Sequence, residues 1–162
     1  MILSGEDELV PAAHRLNAAV VAALGSGRFV VHTEFVVRPD GRLTVLEVAA
    51  RAPGAMVSEA ARLHTGVNLE TANLALQLGR SAGVVTPRGI QAGWVWTPVM
   101  PGERFRAAPV FEVDSLVHVR KAARRGNDGS SGVLGASVLL WDRDDERLAR
   151  DVELAMTWDW TG

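Results

Sequence analysis

The stretch from Phe29 to Val48 constrains this chain more than any other. Phe29-Val30-Val31-His32-Thr33-Glu34-Phe35-Val36-Val37-Arg38 is rich in β-branched and aromatic residues, as is Arg42-Leu43-Thr44-Val45-Leu46-Glu47-Val48. Pro39-Asp40-Gly41 lies between them. Proline presets a turn φ and glycine accepts a positive one, so two such runs around Pro-Asp-Gly specify a β-hairpin.

Helical patterning surrounds the hairpin. Leu9, Ala13, Leu16, Val20 and Leu24 recur at helical spacing, with Ser4 and Asp7 offering an N-cap and Gly25-Ser26-Gly27 a stop. Met56 to His64 reads as a helix stopped by Thr65-Gly66, and Asn68 caps another that runs to Leu78-Gly79. The second half changes character: Ile90–Trp96, Phe111–Val119 and Val133–Trp141 read as strands. A final helix spans Asp144 to Met156, with Asp142 as cap and Leu148, Val152, Ala155 and Met156 inward. The fold class is α+β, an antiparallel sheet with packed helices, in lobes covering residues 1–80 and 81–162.

Composition narrows the function. At 162 residues the chain is large enough to bury a core. It has no cysteine, which excludes disulfides, thiolate nucleophiles and Cys-based metal sites. A formal charge of −2 gives no overall attraction to nucleic acid. No apolar run reaches the roughly 18 residues of a spanning helix, and the first residues are acidic where a secretion signal is basic. These features place the chain in the cytoplasm. Lys121 is the one lysine beside sixteen arginines.

The chemistry concentrates on the hairpin. If Asp40-Gly41 is a two-residue turn, residues whose numbers sum to 81 face each other: Glu34 and Glu47, His32 and Ala49, Val30 and Arg51. Two carboxylates directly opposite on one sheet face repel, which a divalent cation with oxygen ligands would relieve. Two acids for a metal and an arginine for an anion describe a metal–nucleotide site. Pro39-Asp40-Gly41 also suits a three-residue loop, a register that shifts pairing by one and sends the glutamates to opposite faces. In a further reading the two acids sit on a solvated face with no ligand.

His32-Thr33-Glu34, then Leu46-Glu47-Val48-Ala49-Ala50-Arg51-Ala52-Pro53-Gly54, then a helix and His64-Thr65-Gly66-Val67-Asn68-Leu69, resembles the ATP-grasp superfamily. The resemblance implies that Glu34 and Glu47 bind Mg²⁺ against ATP phosphates. It implies that Arg51 contacts phosphate or an acyl phosphate, and that Gly54 is the small residue of the loop beside the substrate. Ala49 departs from it, standing where many members carry a metal-binding asparagine. The segments around Gly89–Pro98, Val113–Arg120 and the last strand and helix resemble the C-terminal lobe of ATP-grasp carboxylate–amine ligases.

By that resemblance the chain corresponds to the C-terminal half of such a ligase, with ATP and Mg²⁺ as cofactors. It is expected to be inactive unless a separate chain supplies the N-terminal half, with self-association as the other partner arrangement. The rival expectation is a non-catalytic binding or assembly module that keeps the fold. Other signals carry less. Arg120, Lys121, Arg124 and Arg125 read as a solvated basic face, and Gly126–Gly132 lacks the Lys-Ser or Lys-Thr of a P-loop. Asp142, Asp144, Glu146 and Glu153 have calcium-loop spacing, but Arg147 stands where the loop needs glycine. The five tryptophans are expected in the core or at a lobe interface, with Trp158 and Trp160 otherwise forming an exposed docking patch.

Overall fold

The computed structural model describes residues 8–25, 27–98, 113–125 and 131–160. Its elements in chain order are α1 (Leu9–Leu24), β1 (His32–Val37), β2 (Leu43–Ala49), α2 (Val57–Thr65), α3 (Leu69–Gln77), β3 (Gln91–Pro98), β4 (Leu116–Arg125), β5 (Ser131–Asp142) and α4 (Asp145–Thr157). The α+β class with antiparallel sheets and packed helices is as the sequence predicts. Two compact units form. One joins Ala55–Gly66 to the chain from Pro87 onward; the other joins the chain up to Gly54 to Val67–Thr86. Helix α2 therefore groups with the C-terminal sheet and not with the 1–80 lobe of the sequence reading.

In the unit holding α2, three antiparallel strands are ordered β3-β5-β4, so β5 lies in the middle. Alternation along β5 explains its apolar composition. Ala136, Val138 and Leu140 pack with Val95 against Leu148, Val152 and Ala155 of α4. Leu139 faces the other way and meets Met56, the residue before α2, and Ala60 of α2, beside Trp94 and Trp141. A strand covered on both faces gains by being apolar throughout. Gly93 lets α4 pack close against β3: a Cβ built there would lie 2.3 Å from Val152 Cγ2. Ser115 donates its backbone N–H to buried Asp151 Oδ2 at 2.7 Å, which ties the start of β4 to α4. The predicted start of β4 at Phe111 falls outside the described residues.

Two expectations for α4 need correction. The cap is Asp144, whose side chain accepts the Arg147 N–H at 3.0 Å. Asp142 sits two residues earlier and accepts the N–H groups of Arg143 and Asp144 instead. Met156 is 67% exposed. The inward stripe is Leu148, Asp151, Val152 and Ala155, and Met156 lies at its edge, turned 100° from Ala155. Trp160 is buried, and its indole N–H donates to the Ala155 carbonyl at 3.0 Å, satisfying an orphan acceptor of the helix end. It belongs to the core and not to a docking patch.

In the other unit α1 has no buried residue and ends at Gly25, whose φ is 93°. Its expected Ser4/Asp7 cap lies outside the described residues. Helix α3 starts as predicted: the Asn68 side chain accepts the Thr71 N–H at 2.8 Å. Asn17 of α1 accepts the Thr33 hydroxyl at 2.7 Å, which places α1 on the Thr33 side of the hairpin. Among the described residues, no helix is long and apolar enough to cross a membrane.

Candidate functional site

The hairpin turn takes the three-residue form. Arg38 and Arg42 close it through Arg38 N–H to Arg42 O and Gly41 N–H to Arg38 O, both 2.8 Å. Gly41 has φ 78°, the left-handed residue such a loop requires. Near the turn, pairing follows that register: Val37 with Leu43, Val36 with Thr44, Phe35 with Val45. A β-bulge then intervenes between Glu34 and Phe35, with Leu46 as the extra residue on β2. Beyond it Glu34 pairs with Glu47, Thr33 with Val48 and His32 with Ala49. The turn offsets the strands by one residue and the bulge offsets them back. Both alternatives drawn from the sequence thus hold, each on its own side of Leu46.

Directly paired residues share a sheet face, so Glu34, Glu47 and His32 stand on one side of the ribbon while Thr33 faces α1. Both glutamates are exposed. His32 Nε2 lies 3.7 Å from Glu34 Oε1, and the two side chains are 22% and 47% exposed respectively. His32 Nδ1 is buried and has no hydrogen-bond partner. Ala49 presents a methyl opposite the imidazole.

The expected Val30–Arg51 pairing does not form. The ladder stops at His32–Ala49 because the Val30 N–H is taken by Asn73 Oδ1 of α3 at 2.8 Å. Arg51 lies past the strand end, exposed, with Nη1 donating to the Ala52 carbonyl at 3.0 Å. Among the described residues no ion pair joins it to either glutamate. Gly54 is also exposed, with open space where a Cβ would project. The left-handed residue of this loop is its neighbour Ala55, at φ 55°. The structure therefore brings Glu34 and Glu47 together with His32 alongside, and leaves Arg51 and Gly54 on the adjoining loop. Asn17, which holds Thr33 of β1, and Asn73, which holds Val30 just before it, are not singled out by the sequence reading. Their signal is an asparagine in a helix interior, where its propensity is poor.

The donor set suits a hard cation shared with a ligand. Mg²⁺ is ordinarily held by one or two carboxylates together with phosphate oxygens and waters. Two facing carboxylates meet the protein's part of that requirement. Among the described residues no group of three or more His, Asp or Glu side chains is arranged to hold a metal ion by itself.

No protein-family model matches this chain, and no curated protein does. Solved structures do. Phosphoribosylglycinamide synthetase from Anaerococcus prevotii superposes over 95% of this chain with a TM-score of 0.65 and 8% sequence identity. The chain spans 42% of that protein's length. The likeness shows an ATP-grasp-like fold.

Proposed function

We propose that this chain is an ATP-grasp-like module that binds Mg²⁺–ATP, in the lineage of enzymes that join a carboxylate to an amine. The observation that carries the reading is the Glu34–Glu47 pairing, preserved by a bulge on an exposed face. A bulge beside a candidate site is a device for aiming side chains. Bringing two like charges together costs stability unless something positive sits between them. Glu34 and Glu47 would hold the cation, and Arg51 would take a phosphoryl oxygen or an acyl phosphate, which guanidinium geometry favours. Gly54 would leave room beside them for substrate. A bound Mg²⁺ neutralises phosphate charge during phosphoryl transfer.

Ligation itself would need the segments that the structural neighbour has beyond the matched 42%. A separate chain would supply them, in the cytoplasm, with self-association as the other partner arrangement. This chain alone then binds nucleotide weakly and ligates nothing. Isothermal calorimetry with ATP and Mg²⁺ tests the reading: weak heat is expected from the chain, lost in Glu34→Ala and in Glu47→Ala. Equal binding by both variants would sink it, and ligase turnover by the lone chain would sink the two-part arrangement.

One observation favours a second reading. With alanine at position 49, and among the described residues no group of three side chains arranged to hold a metal, the fold would serve as a binding or assembly module without nucleotide chemistry. In that case the glutamate variants keep partner binding unchanged.

A further inference from the structure

We propose that His32 is a positioning residue for Glu34, a role that rests on the metal–nucleotide reading and adds a residue to it. Strand alternation places His32 two positions before Glu34 on the same face, with Nε2 3.7 Å from Oε1. Across the ladder His32 meets the methyl of Ala49, which offers the imidazole no polar partner. Among the described residues no other ion pair or hydrogen bond engages the Glu34 side chain. Repulsion from Glu47 would otherwise spread the Glu34 rotamers away from a shared cation. Contact with His32 narrows that spread through one carboxylate oxygen and leaves the other for the cation. Ordering a ligand group before the ion arrives is what supporting residues of metal sites do.

At 3.7 Å the contact is longer than a hydrogen bond, yet it favours one tautomer. A carboxylate only accepts, so the proton belongs on Nε2. Nδ1 is buried with no partner, and a proton there would be an unpaired buried donor. The Nε2–H tautomer is therefore the expected one, with Nε2 aimed along the strand at Glu34.

Two readouts test this. The first needs no ligand: long-range ¹⁵N correlation spectra of the imidazole should show the Nε2–H tautomer, and the Glu34 carboxyl ¹³C shift should move in His32→Ala and hold in His32→Gln. The second is Mn²⁺ binding, followed by electron paramagnetic resonance with a non-hydrolysable ATP analogue. His32→Ala should weaken Mn²⁺ about fivefold, the ceiling for one partly exposed polar contact. His32→Gln, whose amide nitrogen reaches the Nε2 position, should restore it to within about twofold of wild type at that same ceiling. His32→Asn, which mimics Nδ1, should not. Circular dichroism melts confirm that all three variants fold. An Nδ1–H tautomer, or Gln and Asn variants that behave alike, would overturn the proposal. If Glu34→Ala abolishes Mn²⁺ binding while His32→Ala leaves it intact, only the role of His32 falls. If neither wild type nor variants bind Mn²⁺, the nucleotide reading falls, and the tautomer and carboxyl shift still decide whether His32 orders Glu34.

Discussion

Neutralising one of the two facing glutamates should stabilise the chain while weakening its hold on a cation. In Glu47→Gln the shape is kept and one charge is lost. Directly paired strand residues hold their Cβ atoms about 5 Å apart, and we take about 6 Å for carboxylates on flexible stems. Two unit charges at that distance in water repel by about 0.7 kcal/mol. Both groups are exposed, so the high-dielectric figure applies. The Debye length of about 30 Å at 10 mM salt leaves most of this repulsion, whereas about 8 Å at physiological salt halves it. For a chain of 162 residues, the low-salt gain corresponds to a rise in Tm of about 1–2 °C. Differential scanning calorimetry at 10 mM and 1 M NaCl reads it: Glu47→Gln should melt higher at low salt and equal to wild type at high salt. Adding Mg²⁺ at low salt should raise the wild-type Tm and close the gap, because a ligand of the native state alone stabilises it. A variant that melts lower than wild type at 10 mM salt, or a gap indifferent to both NaCl and Mg²⁺, would refute the reasoning.

Three further outcomes follow from the packing and the charges. Gly93→Ala places a methyl against Val152 Cγ2, a stiff β-branched side chain in the core, and should cost about 1–3 kcal/mol in urea unfolding; a neutral result would mean that α4 shifts freely. Asp151→Ala leaves the Ser115 N–H buried without its acceptor and should cost about 1–3 kcal/mol, with Asp151→Asn recovering much of it because the amide oxygen still accepts. Asp142 has its carboxyl held below the ordinary value of 3.8, first by the Asp144 N–H and then by the Arg143 N–H and the Arg147 charge, with partial desolvation opposing them. A lowered folded-state pKa contributes stability that is present above the ordinary value and lost as pH falls through the folded one. Asp142→Asn should therefore be less stable than wild type at pH 7, with the difference starting to close below about pH 4 in melts taken across the acid range; a gap that widens as pH falls would contradict this.

Local chemistry made much of this protein legible. Pro39-Asp40-Gly41 between β-branched runs was enough for the hairpin, because turn geometry depends on a few consecutive residues. Asn68 and Gly66 likewise mark their helix ends through hydrogen bonds and backbone angles that span one turn. The facing of Glu34 and Glu47 was readable only as one of two registers. What settled it is the bulge at Leu46, which no adjacent glycine or proline announces. Three other features answer to partners distant in sequence: Asn73 takes the Val30 N–H and leaves Arg51 outside the ladder, α2 joins the C-terminal sheet, and β5 lies between β3 and β4. Sequence alone determined which segments become strand, turn or helix, since those preferences act over a few residues. Tertiary structure decided which side chains share a face, because that depends on where hydrogen bonds and apolar surface find partners dozens of residues away.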